Sequence, residues 1–341
     1  MLLKEALGID SIFAKAYLLL SMRYSFLSSS SKDHKEYDRL IDSSKIACEQ
    51  AIRLDPEDPE TYEQMSSVLL NSNKPEESLQ FALRANDNNP YSSVNMIVYL
   101  YKRKGDFHSA AKFIDQSIKI DPTIISNYLI KSGLFSELGL MDSSKNYIDR
   151  ASALEPLSPE PENELWHYYR ITRQVKSALK LEARLYGNLK VESHNAASGT
   201  VYFFNRDWRR ADSLFTRSTV RRDIDAGLTA IRMGRKAEGE KLLKESIERR
   251  LAFLGATAGY NDIWPNYDVF RAYAALGDDK QYPLYIKRAI DLGWHYMGFF
   301  VADPFLDDIR HTSEFKKIEK IIIDRNEKYK REALAVFSKK H

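Results

Sequence analysis

Cysteine is nearly absent. The single Cys48 in 341 residues excludes an intramolecular disulfide and a thiolate metal cluster, and a chain without such staples fits a reducing compartment. Long apolar runs are missing too: no stretch approaches the roughly 18 to 20 residues a helix needs to cross a bilayer. The opening Met1-Leu2-Leu3-Lys4-Glu5-Ala6 lacks the basic-then-apolar order of a secretory signal. A cytoplasmic protein without membrane contact is expected, or a periplasmic one if a signal or anchor precedes Met1. Charge of one sign is scarce, with 51 basic and 48 acidic residues leaving a formal net charge of +3. So small an excess leaves little of the field that draws a protein to polyanions. What is present, 43% hydrophobic and 29% charged residues, is enough to bury a sizeable core.

Catalytic signatures are also lacking. No phosphate loop, dinucleotide fingerprint, zinc-protease helix or nucleophile elbow occurs, and each of these is set by residues at fixed spacings. His34, His108, His167, His194, His295, His311 and His341 are scattered without ligand spacing, so they read as surface or packing residues rather than metal ligands. Carboxylates such as Glu57, Asp58 and Glu60 follow a proline, where they favour helix N-termini rather than proton transfer. Neither an enzyme nor a cofactor is expected.

What the sequence does contain is a repeat. Prolines close successive helix pairs at Pro56, Pro90, Pro122 and Pro156, at intervals of 34, 32 and 34 residues, because proline stops one helix and starts the next. Between them Gly105 and Gly139, again 34 apart, supply the positive φ at which a helix ends and reverses. In the unit closing at Pro122, Tyr101, Ala110 and Ile114 stand at an aromatic, a small and a large packing site. The next unit offers Tyr128, Ser132, Phe135, Ser144, Ile148 and Ala151. These residues resemble the tetratricopeptide repeat, a helical hairpin whose small residues let two helices approach while a large one packs on the next hairpin. The resemblance implies an all-α fold: a right-handed α-solenoid of about eight hairpins, an incomplete first one included, with a C-terminal capping helix. It covers roughly residues 1 to 293. The first residues read as a back helix lacking its front helix, which predicts chain upstream.

The pattern loosens after residue 156. Gly199 and Tyr202 on a front helix precede Ala211 and Phe215 on a back helix, and later hairpins turn at Gly234, before Leu243, and at Gly277, between Tyr273 and the pair Ile286 and Ala289. Three regions are expected: an array over 1–251, an irregular connection with a last hairpin over 252–293, and a capping segment and helix over 294–341. Asp10 and Asp55, at equivalent places, lie 45 residues apart, so about 11 extra residues are expected in a polar loop over 28–38. In the tail, Asp303-Pro304-Phe305-Leu306-Asp307-Asp308 resembles the closing segment of such arrays in bacterial signalling proteins. Phe315, Ile318, Ile322, Tyr329, Ala333 and Phe337 recur at helical spacing, as a cap on the last hairpin requires.

In this family the front helices form an inner wall along which peptides lie. Projected onto it are Asn95, Tyr99, Lys102 and Arg103, then Leu129, Gly133 and Ser136, then Ala196, Thr200 and Phe203, a polar and aromatic set suited to an extended or helical peptide. The resemblance thus implies a non-catalytic protein- or peptide-binding scaffold, the interaction or sensing region of a larger bacterial regulator; a free-standing adaptor or assembly factor is the alternative. Residues 205–250 hold 13 basic against 8 acidic residues. Arg206, Arg209, Arg210, Arg217, Arg221 and Arg222 are therefore the one candidate patch for an acidic peptide or nucleic acid, although a solvated outer face explains them more simply.

Overall fold

The computed structural model describes residues 8, 10, 12–31, 33–186, 191–218, 223–256 and 263–338. Among them the regular structure is helical, without a strand. The chain divides into two compact units, residues 1–121 with 253–262 and residues 122–252 with 263–341.

In the first unit three hairpins follow one another: α1 (Ala14–Ser30) with α2 (His34–Leu54), α3 (Pro59–Asn71) with α4 (Pro75–Asn88), and α5 (Val94–Arg103) with α6 (Phe107–Ile120). The second unit holds α7 (Ile125–Glu137) with α8 (Met141–Leu154), α9 (Pro159–Ile171) with α10 (Val175–Tyr186), α11 (Val191–Phe204) with α12 (Trp208–Phe215), α13 (Asp223–Arg232) with α14 (Lys236–Ala256, of which the residues up to 252 fall in this unit), and α15 (Ile263–Leu276) with α16 (Tyr282–Asp291). Its tail adds α17 (Met297–Ala302), a 3-10 turn (Pro304–Leu306) and α18 (Ser313–Phe337). Within each unit the back helix of one hairpin packs on the front helix of the next, as α2 does on α3 and α8 on α9. Front helices also touch each other, α1 with α3, and α9, α11, α13 and α15 in succession.

The hairpin turn is one local motif used repeatedly. A residue with positive φ follows the front helix at Asn73 (58°), Gly105 (75°), Gly139 (75°), Arg173 (60°), Arg206 (61°), Gly234 (84°) and Gly277 (70°). There the N–H of Gly105 donates to the carbonyl of Lys102 and that of Asp106 to Tyr101, both at 2.9 Å, and the same pair of bonds recurs at the other six. Two of the orphan carbonyls at a helix end are satisfied in this way. The turns expected at Gly105, Gly139, Gly234 and Gly277 are present. The hairpin over 157–194, which lacks a turn glycine, makes the same reversal on Arg173.

Seven residues before the turns at Asn73, Gly139, Arg206 and Gly234 the paired helices approach closely. Ser66 and Ser78 stand there with their hydroxyl oxygens 2.9 Å apart, as do Ser132 and Ser144. Ser78 also donates to the carbonyl of Ser66 at 2.8 Å, so the hydroxyl is satisfied where an apolar residue of equal size would only fill space. Gly199 serves the same place in α11, where an added Cβ would stand 2.6 Å from the ring of Phe215.

The first hairpin departs from expectation. The polar run 28–38 is not a loop, since α1 reaches Ser30 and α2 begins at His34, with Asp33 accepting the N–H groups of Lys35 and Glu36. The 17 and 21 residues of α1 and α2 exceed the 13 and 14 of α3 and α4 by four and seven. Together these account for the eleven extra residues, about three helical turns, so both helices lengthen while their packing stripes stay in phase. Ser21 and Ser44 repeat the serine contact at 2.9 Å, and Tyr37 Oη donates to the carbonyl of Asn71 at 3.2 Å. The connection expected over 252–265 is likewise shorter. Helix α14 runs on to Ala256 and α15 starts at Ile263, with Pro265 in its first turn, where a missing N–H costs nothing. Residues 257–262 lie outside the described ones, as do those of the back helix expected before Gly8.

Candidate functional site

One repeat position locates the face on which a partner would lie. Seven residues of the repeat share one register: Asn71 and Arg103 in the first unit and Glu137, Ile171, Phe204 and Arg232 in the second each end a front helix, while Phe26 lies one turn inside the longer α1. In the second unit this row meets the chain's own tail.

The tail follows the row from α7 to α13. His295 Nε2 lies 3.2 Å from Glu137 Oε2, and Met297 covers the α7 turn at Gly139. Gly298 lets α17 settle on α7, because a Cβ there would stand 2.6 Å from the Ser136 carbonyl oxygen and 3.0 Å from Met141 Sδ. The Phe299 ring is 5.4 Å from that of Phe204, and Phe305 is 5.7 Å from Phe203. Arg206, at the α11 turn, donates from Nε and Nη2 to the two carboxylate oxygens of Asp307 at 2.9 and 2.7 Å. Its Nη1 reaches the Ala302 carbonyl at 3.0 Å. Arg232 Nη2 holds Asp308 at 2.7 Å. A carboxylate and an arginine in this bidentate geometry form the strong class of charged hydrogen bond.

Beneath this contact is a buried charge cluster. Asp303, fully enclosed, accepts from Tyr267 Oη at 3.0 Å and from the Phe305 N–H at 3.1 Å. Arg271 Nε is 3.0 Å from Asp303, and its two Nη atoms are 3.2 Å from Asp225 and Asp268. The guanidinium lies over the Phe305 ring, 4.2 Å from its centroid. Arg250 pairs with Asp268 at 2.9 Å. Burial pushes the Asp303 carboxyl above its usual range, against the pull of Arg271 and the two donors. For Arg271, burial disfavours the charge, but Asp303, Asp225 and Asp268 outweigh it and raise its affinity for the proton. Burial and then Asp303 push the Tyr267 phenol well up, which keeps it a donor. Removing one partner from such a cluster strands the others without solvent, so the tail is fixed rather than loosely laid on.

Helix α18 rests the expected stripe of Phe315, Ile318, Ile322, Tyr329 and Ala333 in the core beside α16. It also returns to α7, where Asn326 donates to the Leu138 carbonyl at 3.2 Å, and the Phe337 ring lies tilted at 5.2 Å from that of Phe135, with Lys131 Nζ 4.1 Å from its centroid. The helix therefore caps the last hairpin, as expected, and also contacts α7 at the start of the second unit.

The sequence-selected residues fare differently. Asn95 is exposed, Tyr99 and Arg103 are half-buried, and Lys102 is buried. Leu129 and Ser136 are half-buried on α7, with Ser136 under Gly298. Thr200 and Phe203 are corrections. Both are buried, Thr200 donating to the Ala196 carbonyl at 2.9 Å and Phe203 enclosed among Phe204, Trp208, Phe215 and Phe305. At Phe203 the tail, through Phe305, turns this face of α11 into core.

The basic patch is also largely used internally. Arg206 binds the tail, Arg210 pairs with Asp207 at 3.1 Å, and Arg217 donates to the Ser213 carbonyl at 2.9 Å. Arg209 is exposed, and Arg221 and Arg222 lie outside the described residues. Sequence reasoning missed Tyr267, Arg271 and Phe26. The phrase Asp303 to Asp308 was the available signal for the first two, but nothing in it says which helices its acids meet.

Among the described residues no group of histidines, cysteines and carboxylates is arranged to hold a metal ion, and no helix is long and apolar enough to cross a membrane. Burial pushes the Cys48 thiol up to about 12, which keeps it protonated and unreactive.

A tetratricopeptide-repeat family model matches residues 91–124, the α5–α6 hairpin. No curated protein sequence matches the chain. Among solved structures, a tetratricopeptide repeat protein from Parabacteroides merdae is 13% identical over 74% of this chain and 98% of its own, with a TM-score of 0.50. Pseudomonas aeruginosa pilF is 13% identical over 70% of this chain and 99% of its own, at 0.45. Human IFIT1, solved as a dimer with PPP-AAAA, is 15% identical over 85% of this chain, at 0.48, and the chain spans 66% of its length. The α5–α6 hairpin is thus a tetratricopeptide repeat by its family model, and the recurrent left-handed turn and the small-residue contacts of its neighbours continue the same helical-hairpin register along the chain.

Proposed function

We propose that the chain is a non-catalytic protein- or peptide-binding scaffold that takes its partner on the front helices of its first unit, at Asn95, Tyr99 and Arg103. The observation that carries this reading is the difference between the two rows of repeat-equivalent residues. In the second unit, Glu137, Phe204 and Arg232 are met by the chain's own tail. In the first, Asn95 is exposed and Arg103 has no ion-pair partner among the described residues. An exposed amide and an uncompensated cation on a helical frame suit the polar contacts of a bound peptide. Lys102 is buried and serves packing rather than contact.

The finer part of this proposal is that the scaffold is the interaction region of a larger bacterial regulatory protein, for which the likeness of the Asp303 to Asp308 phrase to such proteins is the support. Selection of the full-length chain against a random peptide display library tests the binding role. Enriched peptides should lose affinity for Asn95→Ala, Tyr99→Ala and Arg103→Glu variants of unchanged melting temperature. No enrichment, or enriched peptides indifferent to all three changes, would overturn it. The regulatory part fails if the natural reading frame carries no effector segment.

A further inference from the structure

Two neighbouring hairpin turns of the second unit carry an arginine where the other turns carry glycine or asparagine. Arg173 follows α9 at φ 60° and Arg206 follows α11 at φ 61°, a backbone region that glycine enters freely and an arginine does not. Such strain clusters where a side chain serves a clamp or a ligand. For Arg206 the clamp is Asp307, whose two carboxylate oxygens take its Nε and Nη2. Arg173 has no such partner: it is exposed, and among the described residues its guanidinium makes neither an ion pair nor a hydrogen bond.

Packing brings the two turns and the tail to one seam. Helices α9 and α11 touch, the Arg170 guanidinium in the last turn of α9 lies 5.0 Å from the centroid of the Phe204 ring, and Ile171 packs in the cluster that holds Phe203 and Phe305. Arg310 reaches the seam from the tail, donating to Glu319 at 3.2 Å and to the Phe300 and Val301 carbonyls at 2.8 and 3.1 Å. Burial first, and then the charge of Arg206, lower the proton affinity of Arg173; Arg310 acts in the same direction and Asp307 against it. Asp307 and Glu319 are each offset by the arginine they pair with, which leaves the charge of Arg173 uncompensated.

We propose that the seam between the α9 turn, the α11 turn and the tail binds a phosphate group, with Arg173 as the arm that closes on it and Arg206 and Arg310 as fixed donors. Arg206 uses four of its N–H groups on Asp307 and on the Phe204 and Ala302 carbonyls. Arg310 uses three. A guanidinium has five, so both keep a donor. Their side chains are 20% and 29% exposed, which holds them in place and leaves them open on one side. Donors arriving from three side chains suit a tetrahedral oxyanion; a planar carboxylate is satisfied by one fork, as Asp307 is by Arg206. The site lies wholly in the second unit and does not depend on the binding face of the first.

The probe is inorganic phosphate, titrated into the full-length chain by calorimetry with chloride holding the ionic strength constant. Phosphate should bind saturably and more tightly than acetate. Arg173→Gly should weaken it about tenfold, the loss expected for a hydrogen-bonded charged group, and should raise the melting temperature because the turn is relieved. Arg173→Lys should fall between the two proteins. Arg209→Ala removes an exposed arginine of α12 outside the seam and should bind as the unaltered chain does. Phosphate affinity unchanged in Arg173→Gly, an equal loss in Arg209→Ala, or no preference over acetate would overturn the proposal. O-phosphoserine and adenosine monophosphate run alongside distinguish the sources of the group: the one that binds more tightly than inorganic phosphate names its carrier, and weaker binding of both names the free ion.

Discussion

Replacing Gly298 with alanine tests whether the tail is seated on α7 as described. The added Cβ would stand 2.6 Å from a backbone oxygen of Ser136, about 0.8 Å inside ordinary contact. A carbonyl within α7 cannot step aside, so α17 must move. Overpacking of this kind costs roughly 1–3 kcal/mol. Alanine returns at most about 1 kcal/mol of helix propensity, and less here, where the residue is the second of a six-residue helix. A net loss of about 1–2 kcal/mol raises the population of the open tail roughly 5- to 30-fold. Native-state hydrogen exchange read by mass spectrometry should show that increase in peptides covering 297–302, with the α3–α4 hairpin unchanged as internal reference. Unaltered protection over 297–302 would refute the contact. The control is Gly133→Ala in α7, where nothing lies within 4 Å of the new Cβ; it should stabilise by about 0.5–1 kcal/mol, because glycine in mid-helix is unfavourable by that amount.

Arg271→Met strands Asp303, Asp225 and Asp268 around an apolar side chain and should destabilise the second unit by about 3–5 kcal/mol, seen in its thermal transition; a change under about 1 kcal/mol would mean the carboxylates are not held as charges. Arg173→Gly relieves an exposed residue at φ 60° and should stabilise by about 1 kcal/mol, whereas an unmoved melting curve would show the turn to be unstrained. Cys48, its thiol pushed up to about 12 by burial, should not react with a chromogenic disulfide at pH 8 until the chain is unfolded. The sign follows from a folded value above the ordinary one: this term leaves stability untouched below the usual thiol range and erodes it as pH rises towards 12. Rapid labelling of native protein would contradict the burial.

Local chemistry made much of this fold readable in the chain. A proline that ends a hairpin, a glycine that must adopt positive φ and a pair of small residues twelve apart each act within one hairpin, so their spacing survives as a period. The eleven extra residues before Asp55 were legible as a number but not as a form. Eleven is close to three turns of helix, and only packing decides whether such a run loops out or lengthens two helices. Turns at Asn73, Arg173 and Arg206 were hidden because the hydrogen-bonded reversal can hold a non-glycine residue at positive φ once the hairpin around it is packed.

By itself the sequence determined the class of fold and the helical character of the tail, since both follow from short-range periodicity and residue conformational preference. Only tertiary structure decided which front-helix residues remain available. Phe203 sits at a position that reads as an inner wall, yet Phe305, about a hundred residues later, converts it into core. No periodic signal links Asp303 with Arg271 or Asp307 with Arg206, because such pairs depend on where the tail lies after folding, and a repeat pattern carries no information about a segment that does not repeat.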